Sequence, residues 1–109
     1  MENKENFQKG KAFNLKENIL YAIGSVVSKT LLKKNSGNIT LFAFDAGQGL
    51  SEPISPFDAV VYLLDGCAQV IIGGIPQKVK SGEMLVMPAN VPHALQAEEP
   101  FKMLLIMLK

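Results

Sequence analysis

From Ser25 to the last residues the chain is cut into short apolar and β-branched runs, with turn residues between them at roughly 8–12-residue intervals. Ser25 to Leu32 and Ile39 to Phe44 flank Asn35-Ser36-Gly37-Asn38, which reads as the turn of a hairpin. Ala59 to Leu64 stops at Asp65-Gly66, and Gln69 to Ile72 stops at Gly73-Gly74. Gln77 to Lys80 stops at Ser81-Gly82, and Met84 to Met87 stops at Pro88. Ala94 to Ala97 and Phe101 to Leu108 complete the series. A chain punctuated in this way predicts an all-β, antiparallel sandwich or barrel of about eight or more short strands. Helix is expected only as a turn or two near Leu15 to Ile23, where the pattern fits a helical turn or a strand equally.

The organisation expected is an N-terminal arm over residues 1–24, partly ordered, and one barrel domain over residues 25–109. At 109 residues the chain has the length of a single domain, large enough for a core and small enough to gain from a partner. Apolar residues make up 48% and charged residues 19%, which places it among globular rather than disordered chains. No apolar stretch approaches the ~20 residues of a membrane span, so no membrane partner is expected. A single cysteine, Cys67, has no partner for an internal disulfide, and a reducing, cytoplasmic setting is expected. All eleven basic residues are lysine, so bidentate recognition of phosphate or carboxylate by guanidinium is excluded. Seven of those lysines fall within residues 1–34 against three glutamates. That tilt reads as a solvated arm, and no nucleic-acid partner is expected.

Two stretches carry further information. Residues 82–93, GEMLVMPANVPH, run from a glycine through an apolar strand to turn chemistry and then to His93, the only imidazole in the chain. In Phe101 to Leu108, Phe101, Met103, Leu105 and Met107 alternate with Lys102, Leu104, Ile106 and Leu108. Both faces of this strand are apolar apart from Lys102 and both need cover, which predicts a second layer or a second subunit. A homodimer is expected, with the apolar residues Ile19, Leu20 and Ile23 buried by exchanged or abutting N-terminal segments.

Two glycine-anchored frames run through the barrel region. One passes through Gly47, Pro53, Ser55, Ala59 and Gly66, the other through Gly82, Pro88, Asn90, His93 and Ala97. Their spacings match the two cupin motifs, and the stretch GQGLSEPISPFDAVVYLLDG followed by VIIGG is similar in texture. Over about residues 25 to 108 the chain resembles a small single-domain cupin with a degenerate metal-binding motif. The resemblance implies a double-stranded β-helix, or jelly-roll barrel.

In a metal-binding cupin, two histidines and a glutamate of the first motif hold the ion with the histidine of the second. Here those positions are Pro53, Ser55, Ala59 and His93. One imidazole remains where three or four donors are required, so no cofactor is expected, and any divalent metal at His93 is expected to be weak. Glu52 stands beside the frame, and strand alternation sends it to the opposite face unless a bulge rotates it.

If His93 points inward as the resemblance implies, its cavity is expected to be lined by Leu95, by Val61 and Leu63 in alternation from Ala59, and by Met87, Met103 and Leu105. Ser55 is a candidate polar contributor, whereas alternation sends Tyr62 outward. Such a cavity suits a small organic ligand oriented by His93 and bound without turnover. The alternative is a metal-dependent cupin enzyme, dioxygenase- or isomerase-like, with a non-standard site. Metal-free isomerase cupins use a histidine base with a tyrosine acid and arginine anchors. This chain lacks arginine, and Asp58 and Glu52 are the nearest carboxylates that could fix the imidazole tautomer. A third reading is a purely structural module, with His93 satisfied by a backbone carbonyl inside a filled barrel.

Overall fold

The computed structural model describes residues 7–52 and 54–109. Nine strands follow one another along them: β1 (Val26–Lys34), β2 (Gly37–Phe44), β3 (Gly49–Glu52), β4 (Asp58–Asp65), β5 (Cys67–Ile72), β6 (Ile75–Lys80), β7 (Met84–Met87), β8 (His93–Gln96) and β9 (Phe101–Leu108). They form a five-stranded sheet in the order β1-β2-β9-β4-β7 and a four-stranded sheet in the order β3-β8-β5-β6. Every pairing is antiparallel. The two sheets close over a shared interior as a jelly-roll barrel, the form that the cupin resemblance implies and one that the turn punctuation allows. The helical turn expected near Leu15 is a single 3₁₀ turn, Lys16–Asn18.

Two strand boundaries differ from the expected ones in ways that matter. The β1–β2 turn is tighter than the sequence suggests: Lys34 pairs with Gly37, so only Asn35 and Ser36 lie outside the ladder. Gly37 also pairs with Leu108 of β9, where a Cβ would strike the Met107 carbonyl oxygen. Only glycine lets the two backbones approach so closely, and the strand begins there. Asn38 therefore belongs to β2 rather than to the turn. The second difference is β3, which lacks a marked β pattern and exists because Gly49 to Glu52 pair with Gln96 to His93 of β8.

The two motif frames are physically interlocked. The N–H of Gly47 donates to the Ala97 carbonyl at 2.7 Å, and the N–H of Ala97 returns to Gln48 at 2.9 Å. At the opposite corner, the Ser81 N–H donates to Gly66 at 3.1 Å and the Gly82 N–H to Leu63 at 2.8 Å. Gly66 is the residue at which the chain leaves one sheet for the other. Its φ of +77° and a Cβ position that would run into the Pro100 carbonyl both exclude a side chain.

Within the barrel, Phe44 and Phe101 stack with ring centroids 4.5 Å apart. Val61, Leu63, Ala68, Val70 and Met103 are fully buried around them. A second, smaller core lies on the outer face of the five-stranded sheet. There Ile19 of the N-terminal segment packs on Leu41, Ala43 and Leu64, flanked by Leu15, Val27, Leu31 and Leu104. Ile19 is thus buried by its own chain, contrary to the expectation that a partner covers it, whereas Leu20 is half exposed and Ile23 is 98% exposed.

Polar contacts moor this segment. Lys29 Nζ donates to the Asn18 carbonyl at 3.2 Å, and Lys102 Nζ to the Lys16 carbonyl at 2.7 Å. The Tyr21 hydroxyl donates to Asp65 Oδ2 at 2.7 Å, with Lys102 Nζ 5.0 Å from its ring centroid. Burial, and then the neighbouring Asp65 carboxylate, raise the Tyr21 phenol above its ordinary value.

Candidate functional site

The interior is filled at one end and hollow at the other. Ladder register shows why. The rungs Phe44↔Phe101 and Phe42↔Met103↔Leu63 bring large side chains together, but the rung Asn38↔Met107↔Ala59 ends in a methyl group. Beside it, Ala59 also pairs with Met87, and Leu50 of β3 pairs with Leu95 of β8. These residues, with Thr40, Leu105 and His93, line a cavity of about 220 Å³. A cavity of this volume can take a substituted ring, since ~150 Å³ is enough to hold benzene.

His93 opens β8 immediately after the Asn90-Val91-Pro92 turn. Asn90 adopts φ 64°, one of the few non-glycine residue types that tolerate it, and its N–H donates to the Ser55 carbonyl at 2.7 Å. The imidazole is buried, 9% exposed, on the cavity wall. Its Nδ1 lies 3.3 Å from the Val91 carbonyl oxygen. A carbonyl can only accept, so this contact is a hydrogen bond when Nδ1 carries the proton. The neutral ring then presents Nε2 as an acceptor. Facing His93 from the other sheet are Asn38 and Thr40, two residues apart on the inner face of β2. Among the described residues, neither side chain hydrogen-bonds to protein.

Of the residues expected at the site, the structure brings His93, Met87, Leu95 and Leu105 to the cavity. Val61, Leu63 and Met103 share the inward face but lie deeper, fully buried in the filled end rather than on the wall. Ser55 is also absent from the wall: it is buried in a turn where its hydroxyl accepts the Phe57 N–H at 3.2 Å. Tyr62 points outward, as alternation requires. Asp58 is no partner for the imidazole, because its Oδ1 accepts the Ala89 N–H at 2.9 Å at the surface. In the β3–β8 ladder, Glu52 is the register partner of His93.

Asn38, Thr40, Phe42, Leu50 and Met107 are wall residues that the sequence reading did not single out. The period-two series Asn38, Thr40, Phe42, Phe44 was the available signal, but Ile39, Leu41 and Ala43 form the more apolar series and would ordinarily be assigned inward.

The donor set does not fit a tightly held transition metal. Of the four positions equivalent to the cupin ligands, Ala59 offers a methyl, Ser55 is engaged by backbone off the wall, and Pro53 lies outside the described residues. His93 alone offers a suitable lone pair on the wall. Among the described residues no group of three His, Cys, Asp or Glu side chains could hold a metal ion.

A closed antiparallel jelly roll with an interior cavity, and two interlocked glycine frames at its corners, defines a cupin-type barrel. The chain belongs to the cupin family: the family's cupin domain matches residues 40–107. It is similar along its whole length to a conserved protein of unknown function from Streptococcus pyogenes, at 36% identity over 100% of this chain and 96% of that one, with a TM-score of 0.89. A cupin 2 conserved barrel domain protein from Leptotrichia buccalis shares 46% identity over 89% of this chain and 47% of its own, with a TM-score of 0.86. A cupin superfamily protein from Desulfitobacterium hafniense shares 27% identity over 99% and 98%, with a TM-score of 0.87. No curated protein matches the chain in sequence.

Proposed function

We propose that this cupin is a stand-alone binding module that takes a small organic molecule into the hollow end of its barrel and releases it unchanged. The observation that carries this reading is the cavity itself: about 220 Å³, walled mainly by apolar side chains, with an imidazole on one sheet. A purely structural barrel has no use for such a void, because unfilled space in a core costs packing energy. Filling the cavity tests the reading. Leu95→Trp is expected to abolish small-molecule binding measured by ligand-observed NMR while the fold persists, and wild-type protein is expected to return its ligand chemically intact. Conversion of the ligand, or equal binding by Leu95→Trp, would defeat the proposal.

The metal-dependent enzyme, dioxygenase- or isomerase-like, is the competing reading, and elemental analysis separates it. Less than about a tenth of an equivalent of zinc, nickel, iron or manganese is expected after dialysis against chelator, because one imidazole is too few donors. About one equivalent per chain would replace the binding module with the enzyme.

We further propose a homodimer, and a reducing cytoplasmic setting suited to the free Cys67. On the outer face of the five-stranded sheet, Leu32, Ile39, Ile106, Val60 and Val86 form one uncharged row across all five strands. The N-terminal segment packs farther along, over Leu41 and Ala43. The next row carries Lys34 on β1 and Asp58 on β4, both in register through Gly37 and Leu108. A two-fold axis parallel to the strands would set each of these charges close to its opposite on a second copy, and an isologous sheet-on-sheet pair is the expected cover.

A further inference from the structure

The cavity wall says more about its ligand than its size. Three polar side chains reach it, and they stand on opposite sheets: Asn38 and Thr40 on β2, His93 on β8. Nδ1 lies against the Val91 carbonyl, and the tautomer that donates this bond offers the cavity an acceptor at Nε2. Asn38 and Thr40 can each donate and accept, and neither is engaged by the described protein. Apart from His93, none of the described wall residues has an ionisable side chain. A cationic ligand would therefore be stripped of water with no counter-ion on that wall, and an anionic one would find only an imidazole that must first take up a proton, so a neutral group is the less costly one to bury. The remaining wall includes Phe42, Met87 and Met107, an aromatic face and two thioethers that pack well on a flat ring.

Resting on the proposal that the barrel binds a small molecule, we infer that its ligand class is the uncharged, hydroxyl-bearing monocyclic compound. The ligand O–H donates to His93 Nε2, and a second neutral polar group meets Asn38 and Thr40 across the cavity. Recognition then depends on donor polarity at one end and on charge neutrality throughout. An acceptor-only ligand leaves Nε2 facing a lone pair, and an apolar ligand leaves it unpaired.

The test uses three isosteres, 4-hydroxybenzamide, 4-methylbenzamide and 4-hydroxybenzoate, titrated against the full chain at pH 7.5 by protein-observed NMR, with benzene as a size control. 4-Hydroxybenzamide is expected to bind about five- to tenfold more tightly than 4-methylbenzamide, the effect of one neutral hydrogen bond. 4-Hydroxybenzoate is expected to bind at least about tenfold more weakly than the amide. In His93→Phe, which keeps the ring volume, the preference for hydroxyl over methyl should vanish while 4-methylbenzamide still binds. Equal or tighter binding of 4-methylbenzamide or of the benzoate by wild-type protein would overturn the ligand class and leave the binding module standing. Exclusion of every probe including benzene would overturn the binding module itself, and the ligand class with it.

Discussion

Tyr21 couples this fold to alkaline pH. Its hydroxyl donates to Asp65 on β4 and so ties the N-terminal segment to the edge of the outer core. Because its folded pKa lies above the ordinary value of 10.0, the folded chain keeps this proton where the unfolded chain releases it. The contribution is therefore fully present below pH about 10 and is lost as pH rises toward the raised value. Tyr21→Phe is expected to lose about 0.5–1 kcal/mol at neutral pH, the range for one partly exposed hydrogen bond. Above pH 10 the gap between variant and wild type should narrow in urea melts; a gap that widens there would contradict the assignment. His93 belongs to the same scale but has the opposite character, since its only described hydrogen bond is one long contact to Val91. His93→Ala should cost no more than about 1.5 kcal/mol of stability. A variant that fails to fold would make His93 a core residue rather than a binding one.

At the scale of elements, corners matter more than strand propensity. Gly66 turns the chain from β4 in one sheet to β5 in the other, with positive φ and no space toward Pro100. Gly66→Ala is expected to destabilise by at least about 2 kcal/mol, the left-handed penalty plus the collision, read as a lower urea midpoint with unchanged m-value. An unchanged midpoint would mean that the corner can relax. The corners were also the most legible part of the chain. Asp65-Gly66, Gly73-Gly74, Ser81-Gly82 and Pro88 all fall at or just beyond strand ends, because backbone conformation at a tight turn selects its residue type directly. β3 was not legible, since Gly49-Leu50-Ser51-Glu52 is a strand only by virtue of its pairing with β8.

For the whole molecule, the proposed dimer rests on the outer face of the five-stranded sheet. Its N-terminal cover stops short of the row through Ile106, and Val86, Met84 and Leu108 remain exposed nearby. Sedimentation at micromolar concentration is expected to give a dimer. Ile106→Glu, which places a charge in the centre of that row, should shift the protein to monomer by at least about tenfold in Kd while the β-rich circular-dichroism spectrum is kept. Charge reversal offers a finer check: Lys34→Glu or Asp58→Lys should each weaken the dimer, and the pair together should restore it. Wild-type protein found only as a monomer would remove the homodimer.

Turn residues and short β-branched runs were enough to predict an all-β sandwich or barrel, which the resemblance to the cupin motifs narrowed to a jelly roll. Those features answer to local backbone geometry, which each residue carries with it. The loss of metal donors was legible only through the resemblance to the cupin motifs, which sets Ala59, with no ligating atom, and Ser55, a poor transition-metal ligand, at the ligand positions. Which face of β2 turns inward was decided only in three dimensions. By hydropathy Ile39, Leu41 and Ala43 belong in the barrel, yet Leu41 and Ala43 are buried from outside by Ile19, and Asn38 and Thr40 face the cavity instead. A two-residue turn at Asn35-Ser36 and a distant segment folding back over the sheet fixed that choice together. Burial depends on what covers a face, and the cover here comes from elsewhere in the chain.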